Sequence, residues 1–256
     1  MNLCPSYSIL TVTIFFQLLG ACSSNSGPTA QNSTAKTSPD STAVREASRQ
    51  YRVHYNSPVD LDSTDFYYQP ISVVPQEQEI RSRTFSSDSY ETGEPSGIEG
   101  TCFNILFFQK STLLEHALLP DSKSVIIAID DHMKPDPRWP YLFYTITKAD
   151  TNADGNQDEE DASALFVSDR SGYHLRQLTP DGTHLEGKMI LVKAQLLLIE
   201  VRPDTNQDHA FTHADGTCWL RFNLTNLGLA PVRQPAQALA GTLKNQMLER
   251  QSRLAK

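Results

Sequence analysis

The sequence predicts a mostly β fold: an antiparallel meander or a small, irregular β-propeller-like domain, with acidic loops on its hairpins and a short C-terminal helix. Three observations point there. Short apolar runs of strand length fill residues 51–235 and are divided by Pro, Gly, Asp and Ser. One stretch of that region recurs at a fixed offset. Residues 236–256 then change from strand-like to helical spacing.

The strand candidates come in order. Phe66-Tyr67-Tyr68 and Ile71-Ser72-Val73-Val74 open the series, followed by Asn104-Ile105-Leu106-Phe107-Phe108 and Val125-Ile126-Ile127-Ala128-Ile129. Residues 141–147, Leu165-Phe166-Val167, Ile190-Leu191-Val192 and residues 196–201 complete it. Several short strands with turns between them mark a β-rich domain over 51–235. Residues 81–100 read as a long polar excursion. In the last segment, Leu239, Leu243, Met247 and Leu254 recur near helical spacing, with Arg and Lys toward the end. This predicts an amphipathic helix packed on the domain.

The repeat is the most informative feature. Asp150-Thr151-Asn152 returns as Asp204-Thr205-Asn206, an offset of 54 residues from 150 to 204. With that one offset Asp154 falls on Asp208, Asp161 on Asp215, Leu165-Phe166 on Trp219-Leu220 and Asp169 on Asn223. Two copies of one supersecondary unit, about 141–180 and 195–232, are expected, each a strand, an acidic loop, a strand, a turn and a strand. The run Leu165-Phe166-Val167-Ser168-Asp169-Arg170-Ser171-Gly172, continuing through Leu175 to Gln177-Leu178-Thr179-Pro180, resembles the blade signature of the periplasmic Tol-system β-propellers. The likeness covers fewer than about twenty residues and implies a propeller-like sheet without a Tol function. At roughly 40–45 residues per blade, 51–235 has room for about four.

The first residues bear on location. Residues 9–19 are mostly apolar but shorter than the roughly 20 that a membrane-spanning helix needs, and they match the apolar core of a signal peptide. Leu19-Gly20-Ala21-Cys22 resembles the bacterial lipobox, a branched residue and two small ones before a cysteine. That resemblance implies a signal peptide over 1–21, cleavage before Cys22 and diacylglycerol on its thiol. Ser23 after the cysteine, where Asp would favour inner-membrane retention, implies the outer membrane. No Lys or Arg precedes Lys36, a departure from the usual positive start. Residues 22–50, rich in Ser, Thr, Asn, Pro and Ala, have little to bury and predict a disordered tether.

The acidic loop carries the chemistry. Asp150, Asn152, Asp154, Asn156, Asp158 and Asp161 stand at positions 1, 3, 5, 7, 9 and 12 around Gly155 at position 6. This resembles the EF-hand loop, which binds Ca2+ through oxygen at those positions and turns sharply at the glycine. Asn156 would serve through its backbone carbonyl, and Asp161 replaces the usual, longer Glu. The physical case is independent of the family. Six carboxylates lie within 150–161, and at about 4–6 Å like charges repel by roughly 1 kcal/mol or more each. A hard divalent cation removes that repulsion; a solvated acidic turn is the plain alternative. The loop flanks are strand-like, so the expectation is a calcium-clamped hairpin. Asp204, Asn206, Asp208, Thr212 and Asp215 form a second candidate metal set, but His209 replaces the glycine. His209, His213 and Cys218 match no closed zinc spacing.

Charge narrows the partners. A formal net charge of −8 with no basic cluster excludes a nucleic-acid surface and an electrostatic membrane mode, leaving the lipid as anchor. Besides Cys22, Cys102 and Cys218 follow the leader. A disulfide between them and a pair of buried free thiols are both compatible with export. No nucleophile elbow, His-Glu-x-x-His, phosphate loop or dinucleotide fingerprint is present. The expected function is therefore a membrane-anchored, calcium-binding envelope lipoprotein, a non-catalytic module facing an envelope protein or a glycan. The alternative is a periplasmic hydrolase with structural calcium. For the anchor, Cys22→Ser is expected to leave an unprocessed precursor; wild-type chain that incorporates no labelled palmitate in a bacterial host overturns the assignment.

Overall fold

Period-two alternation and turn residues divide the chain into three antiparallel meanders that follow one another in sequence. The computed structural model describes residues 41–77, 97–130 and 136–254. The expected leader, Cys22 and most of the 81–100 excursion lie outside the described residues. The first sheet holds β1 (Tyr51–Tyr55), β2 (Val59–Asp60), β3 (Phe66–Pro75), β4 (Thr101–Gln109) and β5 (Glu115–Ala117), in the order β1-β3-β4-β5 with β2 also on β3. The second holds β6 (Val125–Ile129), β7 (Tyr141–Thr147), β8 (Ser163–Asp169) and β9 (Arg176–Gln177). The third holds β10 (Thr183–Leu191), β11 (Leu196–Pro203), β12 (Cys218–Asn223) and β13 (Val232–Gln234).

Two apolar cores bind the sheets together, and the second sheet contributes to both. Leu142, Tyr144 and Ile146 of β7 join Tyr68, Ile105 and Phe107 of the first sheet. Phe143 of β7, with Leu165 and Val167 of β8, joins Leu197, Ile199, Val201, Leu220 and Phe222 of the third. Successive side chains of a strand point to opposite faces, so β7 reads as a continuous apolar run because both of its faces are covered. At roughly 25 cal/mol per Å2 of apolar surface, each fully buried Leu, Ile or Phe contributes on the order of 1.5–3 kcal/mol. The polar exception in the first core is satisfied: the Tyr144 hydroxyl and Ser168 Oγ are 2.8 Å apart.

Turn chemistry aligns the sheets. Asp169 Oδ1 accepts the Ser171 and Tyr173 N–H at 2.9 and 3.0 Å, closing the β8–β9 turn. Asn223 repeats this after β12, accepting the Thr225 N–H at 2.9 Å. The first of these turns packs on the neighbouring sheet. Tyr173 stacks on His116 at 4.0 Å between centroids, and His116 on Phe107 at 5.5 Å. Gly172, at φ +81°, lies against Phe107 so closely that a Cβ would sit 2.4 Å from the ring.

Pro70 joins two strand candidates into one β3. Its carbonyl accepts the Asn56 N–H at 3.0 Å, just past the end of β1. The N–H that proline lacks would have reached the Asn56 carbonyl, which instead takes Gln69 Nε2 at 2.9 Å. The side chain before the proline thus replaces the missing donor.

Three sequence expectations change, and one alternative is decided. Three sheets occupy 51–235 in place of about four blades, because each repeat spends residues on a long loop and spans 54. Within the expected tether, Ser41–Gln50 forms a helix, α1, with no buried residue. Its Ala, Arg and Glu favour helix, and Gln76 ties its end to β3 through the Ser48 and Gln50 carbonyls. The C-terminal helix, α2 (Gln237–Leu254), buries no residue either; Leu239, Leu243, Met247 and Leu254 remain exposed instead of packing on the domain. Of the two alternatives for Cys102 and Cys218, the structure has the free buried thiols, in different cores, and no Cys102–Cys218 bridge. Burial pushes the Cys102 thiol up to about 12.

The close approach at Gly172 generates a test. Gly172→Ala combines a left-handed backbone with a clash against Phe107, and is expected to destabilise the fold by about 2–4 kcal/mol. Denaturant unfolding of the two forms measures it, and a difference below about 0.5 kcal/mol contradicts the packing described.

Candidate metal loops

The two acidic loops occupy the same place in two sheets. Residues 148–162 join β7 to β8, and residues 204–217 join β11 to β12, each the second hairpin of its meander. The register of β11 and β12 runs unbroken from Leu196↔Asn223 to Val201↔Cys218, so the second loop begins at a fixed point. The first begins where Thr147 pairs Ser163.

Within the first loop, short polar side chains bend the backbone. Asp150 turns inward: Oδ1 accepts the Ala153 N–H at 2.7 Å and Oδ2 the Gly155 N–H at 2.9 Å. Asn152 Oδ1 accepts from Asp154 N at 3.0 Å, Asp154 Oδ1 from Asn156 N at 2.7 Å, and Asp158 Oδ1 from Glu160 N at 3.0 Å. Each is an Asx turn, the side-chain mimic of a backbone turn. Gln157 Nε2 reaches back to the Thr147 carbonyl at 2.8 Å and fixes the loop to the end of β7.

The second loop repeats this plan at the same offset. Asp204 Oδ2 accepts from His209 N at 3.0 Å, Asn206 Oδ1 from Asp208 N at 3.3 Å, Asp208 Oδ1 from Ala210 N at 2.9 Å and Thr212 Oγ1 from Ala214 N at 3.3 Å. Positive φ falls on Ala153 and Gly155 in one loop and on Gln207 and His209 in the other. His209 therefore adopts the left-handed turn that the sequence reserved for glycine, at φ 64°. An L-residue does so at a cost of roughly 1–2 kcal/mol, which the surrounding bonds offset.

Asp161 and Asp215 do something that sequence spacing did not predict. Asp161 is 1% exposed and lies beneath its loop. Its Oδ1 accepts Thr151 N at 2.6 Å, Thr151 Oγ1 at 3.1 Å and Asn152 N at 3.2 Å, and its Oδ2 accepts Asp158 N at 3.0 Å. Asp215 likewise takes Thr205 N and Oγ1 on one oxygen and Thr212 N and Oγ1 on the other. The residue expected as the twelfth-position ligand closes the loop from inside. Burial pushes the Asp161 carboxyl up, but the Thr151, Asp158 and Asn152 amides outweigh it and hold it below the usual range. The Thr205 hydroxyl, with the Thr212 and Thr205 amides, brings Asp215 to about 2. Thr151 and Thr205, the donors to these carboxylates, were missed; their recurrence within the repeat was the available signal.

The loops are neighbours on one rim, since Thr151 and Ala162 of one and His209 and Phe211 of the other line a common cavity of about 180 Å3. Among the described residues no three His, Cys, Asp or Glu are gathered as a ready metal cluster. A calcium loop draws also on Asn and backbone carbonyl oxygen, and Asn152, Asn156 and Asn206 stand at those positions. Among the described residues no helix is long and apolar enough to cross a membrane. No protein-family model matches the chain, and no curated protein is significantly similar to it.

The closing carboxylate sets a measurable demand. Asp161→Ala leaves the Thr151, Asn152 and Asp158 amides without their acceptor, and hydrogen bonds to a charged group are worth about 1.5–3 kcal/mol each before water compensates. A loss of about 2–4 kcal/mol in cation-free buffer is expected by urea unfolding, and no loss refutes the closing role.

Proposed function

We propose that this chain is a calcium-binding, lipid-anchored module of the bacterial cell envelope that works by presenting a β surface to an envelope protein or a glycan, without catalysis of its own. Attachment rests on Leu19-Gly20-Ala21-Cys22. Calcium binding rests on one observation above the others: the Asp150 carboxylate is folded into the first loop by the Ala153 and Gly155 N–H. Both of its oxygens are thereby fixed within a loop that also carries Asn152, Asp154, Asn156 and Asp158. Asp150, Asn152, Asp154, Asp158 and the Asn156 carbonyl would hold the ion, while Asp161 keeps the loop closed. The ion would supply positive charge among six carboxylates and lock the β7–β8 hairpin. It would not open helices as a sensor does, because the loop is flanked by strands.

Such loops in extracellular modules bind at about 10⁻⁴–10⁻³ M. At tenfold excess over the dissociation constant, linkage adds roughly 1.4 kcal/mol, a few degrees in melting temperature for a domain of this size. Calorimetry of the full chain with and without millimolar calcium is expected to show that rise, and Asp154→Ala to reduce it. An unchanged rise in Asp154→Ala removes the first loop from the reading.

A further inference from the structure

The loop at 204–215 looks the poorer of the two in sequence, with three carboxylates to the first loop's six and His209 in place of glycine. Its geometry differs from the first loop most at the first aspartate. Asp150 uses both carboxylate oxygens, on the Ala153 and Gly155 N–H. Asp204 uses only Oδ2, on His209 N; its Oδ1 is buried and meets no hydrogen-bond donor. The Asp204 side chain is 9% exposed, so water does not serve this oxygen. A carboxylate oxygen withdrawn from water and left without a donor or a cation is strongly unfavourable. The bond from His209 N to the other oxygen fixes the carboxylate inside the curve of the loop.

The groups that surround that curve are oxygen-bearing. Asn206 and Asp208 are already drawn together, with Asn206 Nδ2 donating to Asp208 Oδ2 at 2.8 Å. Rotation of that amide exchanges its nitrogen for oxygen. The Ala210 carbonyl holds the place that a main-chain ligand takes in loops of this spacing. Asp215 is occupied as the closing carboxylate and takes no part. His209 lies outside, its ring 85% exposed and its Nδ1 3.7 Å from Asp204 Oδ2. Carboxylate, amide and carbonyl oxygen suit a hard divalent ion, whereas a softer metal would favour the imidazole.

We propose that the 204–215 loop is a cation site in its own right, of the calcium class, built on Asp204 Oδ1 with Asn206, Asp208 and the Ala210 carbonyl. It deepens the calcium reading above and rests on it for the kind of ion, but not for the loop.

Equilibrium dialysis of the full chain against calcium chloride at millimolar concentration, counting ions per chain, separates the two loops. Two ions are expected for wild type, one for Asp154→Ala, one for Asp204→Asn and none for the double variant. Asp204→Asn keeps an acceptor for His209 N and so preserves the loop. The exposed Asp208→Ala, as a second variant, is expected to weaken the Asp154→Ala protein's remaining ion at least tenfold. If Asp154→Ala binds no calcium, the proposal is overturned while the first-loop reading stands. If wild type binds a single ion that Asp204→Asn removes, the proposal stands and the first loop is discarded. If wild type binds none, both fall.

Discussion

The middle sheet has no free face, and the placement of both acidic loops follows from that constraint. β7 sends Leu142, Tyr144 and Ile146 into one core and Phe143 into the other. A slip of one residue against β8 would exchange the two sets and leave both cores mispacked. The β7–β8 hairpin is consequently held in one register over seven residue pairs, from Tyr141↔Asp169 to Thr147↔Ser163. The first loop starts from an end that cannot shift. The third sheet, packed on the same β8 side through Leu197 and Ile199, inherits the alignment and sets its own loop beside the first.

Within each loop some carboxylates close the loop and others bend it. The aspartate at the end of the loop is buried and satisfied by amides and threonine hydroxyls, so it neutralises backbone donors that would otherwise be stranded inside. The aspartates and asparagines at the start bend the chain by accepting from residues two to five positions ahead. A loop shaped in this way would need little further ordering to hold the proposed ion.

Much of the fold was legible. The runs at Val125–Ile129 and Tyr141–Thr147 are strands with those limits, because apolar side chains on both faces leave a continuous signature. The 54-residue repeat holds down to individual hydrogen bonds, since the same short polar side chains sit at the same turns. What failed did so for physical reasons. Pro70 divided β3 in the sequence, but the Gln69 amide that replaces its donor is a tertiary detail. The helix α2 shows helical spacing without a surface to receive it, and spacing alone does not reveal whether a partner surface exists. That Asp161 and Asp215 close their loops was not legible, because spacing gives position along the chain and not the side of the loop a side chain occupies. His209 at positive φ contradicts a residue preference that neighbouring bonds override.

A stack of meanders whose outer sheets each keep a face uncovered has no intrinsic end. Tyr51, Val53 and Tyr55 of β1 are exposed in register with Pro75, Val73 and Ile71 of β3, so the first sheet offers an apolar surface of the kind that a further sheet would cover. Since both acidic loops leave from the second hairpin of their sheets, a tandem duplication of the 54-residue segment would place another loop on the same rim. The number of loops on that rim would then scale with gene length, with no change to the residues that build any one of them.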